Sequence, residues 1–71
     1  LKVLIVDDHA IVRQGLKQIL SELDDVTLVA EAVTGNDAIR MARESSWDLV
    51  LLDITLSDRN GIDVLKQLKS E

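Results

Sequence analysis

Residues 4–9 read LIVDDH. Three apolar residues, Leu4, Ile5 and Val6, run straight into two adjacent carboxylates, Asp7 and Asp8. With Lys2 and Val3 ahead of them, KVLIV (2–6) is a short β-branched run without alternation, the pattern of a strand covered on both faces. A surface turn tolerates two like charges side by side for no functional reason; a site that holds a cation requires them.

Downstream the apolar period changes. Between residues 10 and 23, Val12, Leu16, Ile19, Leu20 and Leu23 recur at spacings of 4, 3, 1 and 3, which is one face of a helix. Asp24-Asp25 ends it, and residues 26–30 read as a second strand. TGND (34–37) is a turn opening a second helix, with Thr34 or Asn36 as cap and Asp37 in the first turn. Ala38, Ile39 and Ala42 supply that helix's inner face, and it closes near Ser45-Ser46. LVLL (49–52) is again apolar without alternation, as in a parallel sheet with both faces covered. SDRNG (57–61) is a loop, and Ile62, Leu65 and Leu68 mark a third helix.

The order βαβαβα, with short connections and no repeat or linker, specifies an α/β fold with a doubly wound parallel sheet. Right-handed crossovers place strand 1 between strands 2 and 3, giving the order 2-1-3. Asp7 and Asp8 then sit at the carboxyl end of strand 1, and Asp53 at the carboxyl end of strand 3. Neighbouring strands lie about 4.8 Å apart, so three carboxylates converge at the topological switch point, where open α/β sheets bind ligands.

Composition bounds the function. The 71 residues are 46% hydrophobic and 30% charged, a foldable rather than a disordered balance. One small domain fits, and a chain this short buries only about 60% of its unfolded surface. There is no cysteine, hence no disulfide and no thiolate metal site, which suits a reducing cytoplasm. No apolar run approaches the roughly 20 residues of a membrane span, and no signal peptide is visible. With 13 Asp and Glu against 8 Lys and Arg, this segment is not expected to grip nucleic acid itself.

Three clustered carboxylates repel, and one takes up a proton unless a cation neutralises them. The candidate ligands are all oxygens, which suits Mg²⁺ and excludes a dedicated zinc or copper site. A carboxylate is also a nucleophile able to form an aspartyl phosphate. Asp53 fits that role because it stands alone while Asp7 and Asp8 hold the metal. The plainer reading makes Asp8 a helix cap and leaves Asp7 facing water. The matching Asp53 at the neighbouring strand end favours a site. His9 is expected on the surface in the first turn of helix 1, and Trp47, the single aromatic residue, in a packing role away from the acidic mouth. Arg40, Arg43, Lys66 and Lys69 read as solvated helix faces, and Ser57 as a loop residue.

VLIVDDHAIVRQGL (3–16) and DLVLLDITLSDRNGIDVL (48–65) resemble the receiver domain of bacterial response regulators, the CheY-like (flavodoxin-like) fold. DDH followed by RQGL resembles the NarL/LuxR-type transcription regulators. The resemblance implies that Asp53 accepts a phosphoryl group from a sensor histidine kinase. It implies Mg²⁺ held by Asp8, Asp53 and the Thr55 backbone carbonyl, with Asp7 acting through water. It puts Leu56, Ser57 and Gly61 in the phosphorylation loop, with Gly61 free to adopt unusual backbone angles. Leu56-Ser57 stand where Met-Pro is frequent, and Trp47 where proline is frequent. The family's hydroxyl residue after strand 4 and lysine after strand 5 have no counterpart.

From this the chain is expected to be the N-terminal portion of a single receiver, residues 1–71, without strands 4 and 5 or any DNA-binding domain, and with its first residues trimmed. Such a piece is an incomplete switch: a cytoplasmic phospho-acceptor rather than an enzyme, reaching DNA only through an absent helix-turn-helix. The bare edge of strand 3 is expected to pair with a second copy. Two other functions compete. A Mg²⁺-dependent phosphatase with an aspartyl nucleophile would resemble haloacid-dehalogenase-like enzymes, whose Asp-x-Asp after a strand has no match at Asp53-Ile54-Thr55 or Asp8-His9-Ala10. A non-signalling interaction fragment would keep the fold and lack the switch.

Overall fold

The computed structural model describes residues 1–70. Three parallel strands, β1 (Lys2–Val6), β2 (Leu28–Ala32) and β3 (Leu49–Leu52), lie in the order β2-β1-β3. The helices are α1 (Ala10–Ser21), α2 (Gly35–Glu44) and α3 (Gly61–Ser70). The expected doubly wound α/β architecture and strand order are therefore found.

β1 is the axis of the molecule. Val3, Leu4, Ile5 and Val6 are all fully buried, and burying each such side chain contributes about 1.5–3 kcal/mol. Because side chains alternate across a strand, Leu4 and Val6 enter one core with Ala32, Ala38, Ile39, Leu56 and Val64. Val3 and Ile5 enter the other, with Leu20, and with Leu16, Val29 and Leu51 packed around them. One core lies under α2 and α3, the other under α1. That is why the strand shows no polar alternation.

The register places Val6 opposite Ala32 on one side and Leu52 on the other. The ladder runs one step further at both edges: Asp7 donates its N–H to the Ala32 carbonyl at 3.1 Å, and Asp53 donates to the Val6 carbonyl at 2.9 Å. Both aspartates are thus the first residues past the strands, held by sheet bonds.

Five expectations need correction. The second strand begins at Leu28 rather than at residue 26, because Lys2 pairs with Leu28. Val26 instead packs from the connection onto the α1-side core. Helix α1 stops at Ser21, where Glu22 and Leu23 donate to the carbonyls three residues back and tighten the last turn. Only Leu16 and Leu20 of its apolar face reach the core, while Val12, Ile19 and Leu23 are exposed. In α3 the inward residues are Gly61, Val64 and Leu68, with Ile62 and Leu65 exposed. Both sets share Leu68 and helical spacing, and what selects one is Gly61. A Cβ there would sit 2.5 Å from the Asp53 carbonyl oxygen and against the Cα of Ile54, so this face must turn inward. None of the described residues has positive φ, so Gly61 is needed for close approach and not for unusual backbone angles.

In α2, Thr34 is the cap, its hydroxyl accepting from the Asp37 N–H at 3.1 Å. Trp47 is half-buried at the far end of β3, donating its indole N–H to the Met41 carbonyl at 3.1 Å. The Lys2 ammonium lies 5.1 Å from its ring centre, a cation–π contact. Its packing role is as expected. Among the described residues, no helix is long and apolar enough to cross a membrane, and the outer edge of β3 carries no strand.

The glycines give a contrast in stability. Gly15 lies in α1 with nothing near its missing Cβ, so Gly15→Ala is expected to stabilise the fold by about 0.5–1 kcal/mol. Gly61→Ala forces backbone apart and should destabilise by about 1–3 kcal/mol. Urea unfolding midpoints of the two variants beside the parent chain measure both.

Candidate functional site

At the carboxyl edge of the sheet, Asp7, Asp8, His9 and Asp53 each present a ligand-type atom, all within 4.8 Å of one another. The β1 and β3 ladders position Asp7 and Asp53, and the turn into α1 positions Asp8 and His9. Asp7 is buried, and its Oδ1 accepts from the His9 backbone N–H at 2.9 Å, closing a tight turn across Asp8. The same oxygen bonds His9 Nδ1 at 2.7 Å. Arg13, one turn into α1, donates to the Asp7 carbonyl at 2.8 Å and pairs with Glu31 at 3.2 Å.

Asp53 Oδ1 accepts both the backbone N–H and the hydroxyl of Thr55, each at 3.0 Å. Its Oδ2 lies 3.6 Å from His9 Nδ1. The Thr55 N–H, then the Thr55 hydroxyl, and further the charge on His9 hold the Asp53 carboxyl below the usual carboxylate range. Asp53 is therefore an ionised carboxylate with one oxygen held and the other turned to the cluster.

Of the residues marked in the sequence, Asp7, Asp8 and Asp53 come together, and Thr55 joins them through its N–H and hydroxyl. Leu56 lies in the loop but its side chain is buried in the α2–α3 core. Ser57 is exposed, and Gly61 packs on the Asp53–Ile54 backbone. His9 is on the surface as expected, but it is the residue before α1 rather than one in its first turn, and its exposed ring leans over three carboxylates, 3.0 Å from Asp8 Oδ1. The available signal was its place two residues after Asp7, the spacing at which an Asp side chain captures a backbone N–H. Arg13 gave no signal, since its target is a main-chain carbonyl.

The donor set fits a hard divalent cation. The side chains at the mouth are carboxylates with one imidazole, and Asp8 Oδ1 is buried with no hydrogen-bond partner among the described residues. The His9 ring 3.0 Å away is charged only when protonated, and a divalent cation such as Mg²⁺ would suit this oxygen. Beside the cluster, a groove of about 420 Å³ opens between α1 and β3, lined by Val12, Leu16 and Leu51 among others. A larger one lies at the opposite end around Trp47, away from this chemistry.

A parallel α/β sheet with three carboxylates at its switch point, one of them held by a threonine hydroxyl, defines a small acidic module. The chain belongs to the response regulator receiver domain family, whose pattern matches residues 3–71. It is 41% identical over 70 residues to the transcriptional regulatory protein YdfI of Bacillus subtilis, covering 99% of this chain and 33% of that protein. It is 41% identical over 71 residues to the response regulator protein VraR of Staphylococcus saprophyticus, covering 100% of this chain and 34% of that one. The chain thus spans about a third of the length of these curated relatives. Among solved structures, a LuxR-family response regulator from Aurantimonas superposes with TM-score 0.88 at 33% identity, over 97% of this chain and 49% of that one. The response regulator domain of Thermotoga maritima CheB superposes with TM-score 0.92 at 36% identity, over 99% and 52%.

The cluster predicts a pH response. His9 has its pKa raised from the ordinary 6.5, first by the hydrogen bond to Asp7, then by the charges of Asp8 and Asp7, with Asp53 adding to them. A group that binds its proton more tightly when folded contributes stability fully below its unfolded pKa and loses it as pH rises through the folded one. In metal-free buffer the melting temperature is therefore expected to decline as pH climbs above 6.5, and His9→Ala to flatten that decline. Asp53 acts in the opposite sense: its contribution is present above the ordinary 3.8 and lost as pH falls through its lowered value. Melts across both intervals, parent against His9→Ala and Asp53→Asn, read out the two limbs.

Proposed function

We propose that this chain is the phospho-accepting part of a two-component response regulator, with Asp53 as the acceptor. The observation that carries the reading is the arrangement of the Asp53 carboxylate. Thr55 occupies Oδ1 with two hydrogen bonds, and Oδ2 faces the cluster formed with Asp7, Asp8 and His9. The donor is a phosphohistidine on a sensor histidine kinase. Asp53 Oδ2 forms a bond to phosphorus as the P–N bond to the donor imidazole breaks, and the leaving imidazole takes up a proton.

Asp8, Asp53 and the Thr55 backbone carbonyl would hold Mg²⁺, with Asp7 acting through water. When bound, the ion neutralises charge on the transferring group and the carboxylates. The chain's own share of the chemistry is to keep Asp53 ionised and aimed. The acceptor is consumed stoichiometrically, so the chain is a switch component and not an enzyme.

Transcriptional output through a helix-turn-helix elsewhere in the regulator, and a cytoplasmic setting, follow from the same reading and from the kinds of relatives matched. A second reading, self-association, has its own support. The outer edge of β3 is unpaired among the described residues and Leu49 is exposed on it, a surface suited to pairing with a second copy.

Intact-mass measurement after incubation with Mg²⁺ and acetyl phosphate tests the acceptor. A single phosphate adduct is expected on the parent and none on Asp53→Asn. An adduct on both, or none on a parent chain that is folded by circular dichroism, overturns the assignment.

A further inference from the structure

The loop between β3 and α3 carries Thr55, yet it lacks the proline that would stiffen it, with Ser57 in that place. Its conformation is secured at two points. At its base the Gly61 N–H donates to the Ile54 carbonyl at 2.9 Å. At its outer end the Asp58 carboxylate reaches across to the start of α2, where Oδ1 accepts from Gly35 N–H at 2.8 Å and Oδ2 from Asn36 N–H at 3.1 Å.

The two oxygens of Asp58 thereby occupy the first two N–H groups of α2, while Thr34 serves the Asp37 N–H. A carboxylate at this position also meets the positive end of the helix dipole. Those N–H groups, first Gly35 and then Asn36, help hold the Asp58 carboxyl below the usual range. The neighbouring Arg59 continues the link, donating to Asn36 Oδ1 at 3.3 Å and to Gln67 Oε1 of α3 at 3.0 Å. Nothing here has slack: a Cβ on Gly35 would fall 2.7 Å from a Val64 methyl and 3.3 Å from the Arg59 Cβ.

We propose that Asp58 is a positioning residue for phosphoryl acceptance at Asp53, clamping the loop to α2 so that Thr55 keeps both of its hydrogen bonds on Asp53 Oδ1. The proposal rests on the acceptor role given to Asp53 above. Asp58 itself touches neither Asp53 nor the acidic cluster and acts only through the loop. The constraint that a proline would impose covalently is supplied here by a long-range pair of charged hydrogen bonds between this loop and the first turn of α2.

The test uses the full chain with Asp58→Ala and Asp58→Asn, the second keeping one acceptor oxygen. With Mg²⁺ and acetyl phosphate, Asp58→Ala is expected to lower the acceptance rate at saturating donor about tenfold, because loosened aim acts on the chemical step. The half-saturating donor concentration and the Mg²⁺ affinity should stay within about twofold. Asp58→Asn should fall between Asp58→Ala and the parent. Amide hydrogen exchange should quicken at Thr55 as well as at Gly35 and Asn36.

Faster exchange confined to Gly35 and Asn36, with an unchanged rate, would mean that Asp58 only caps α2, and the proposal fails. If Asp58→Ala does not fold, Asp58→Asn decides by the same two readouts. If the parent itself accepts no phosphate, the acceptor role is what has failed. Thr55 exchange then still judges the clamp: protection unchanged in the variant rejects it, and protection lost sustains it.

Discussion

The hydrogen bond from the Asp53 N–H to the Val6 carbonyl, with its counterpart from Asp7 to Ala32, sets everything at the carboxyl edge of this molecule. These bonds exist because β1 is buried on both faces and can pair in only one register: a one-residue slip would turn Leu4 and Val6 into the wrong core. Core packing is thus converted into the placement of charges. The two aspartates are brought level not by attraction, since they repel, but by a sheet whose apolar contacts outweigh that repulsion.

The strands and their order were legible because an apolar run without alternation leaves a plain sign, though only KVLIV is covered on both faces, Leu49 of LVLL being exposed and Val50, Leu51 and Leu52 half-buried. The convergence of Asp7, Asp8 and Asp53 followed from topology alone. The start of β2 was not legible, because Val26 is as apolar as the strand residues and only pairing with Lys2 distinguishes them. The inward face of α3 was hidden for a similar reason. Ile62 and Leu65 make a better hydrophobic pattern than Gly61 and Val64, and the decision lay in a steric contact with a backbone in another element. For α1, a helical stripe of five apolar residues promised a covered face, and only its middle reaches the two strands beneath it.

The site divides in the same way. Residue types and strand ends identified the carboxylates. The parts around them, the His9 ring over the cluster, Arg13 on a main-chain carbonyl and Asp58 on the start of α2, depend on loop conformations and on partners distant in sequence, as Asp53 is from His9 and Gly35 from Asp58. A single sequence carries no pattern for such bonds. Electrostatically these partners share one task. Each puts positive charge or N–H groups against a carboxylate or carbonyl that crowding would otherwise destabilise, as Arg13 and Lys17 also do for Glu31, whose pKa is lowered first by the Lys17 hydrogen bond.

A free carboxylate is symmetric, and either oxygen can react. In this chain Thr55 removes that symmetry by placing both of its donors on Oδ1. An ester formed on Oδ2, as the acceptor role would have it, keeps its link oxygen on the side of His9 and its carbonyl oxygen on the side of the loop. Under the acceptor role proposed above, the hydroxyl and N–H that grip Oδ1 would sense esterification of the other oxygen as a loss of charge on the one they hold.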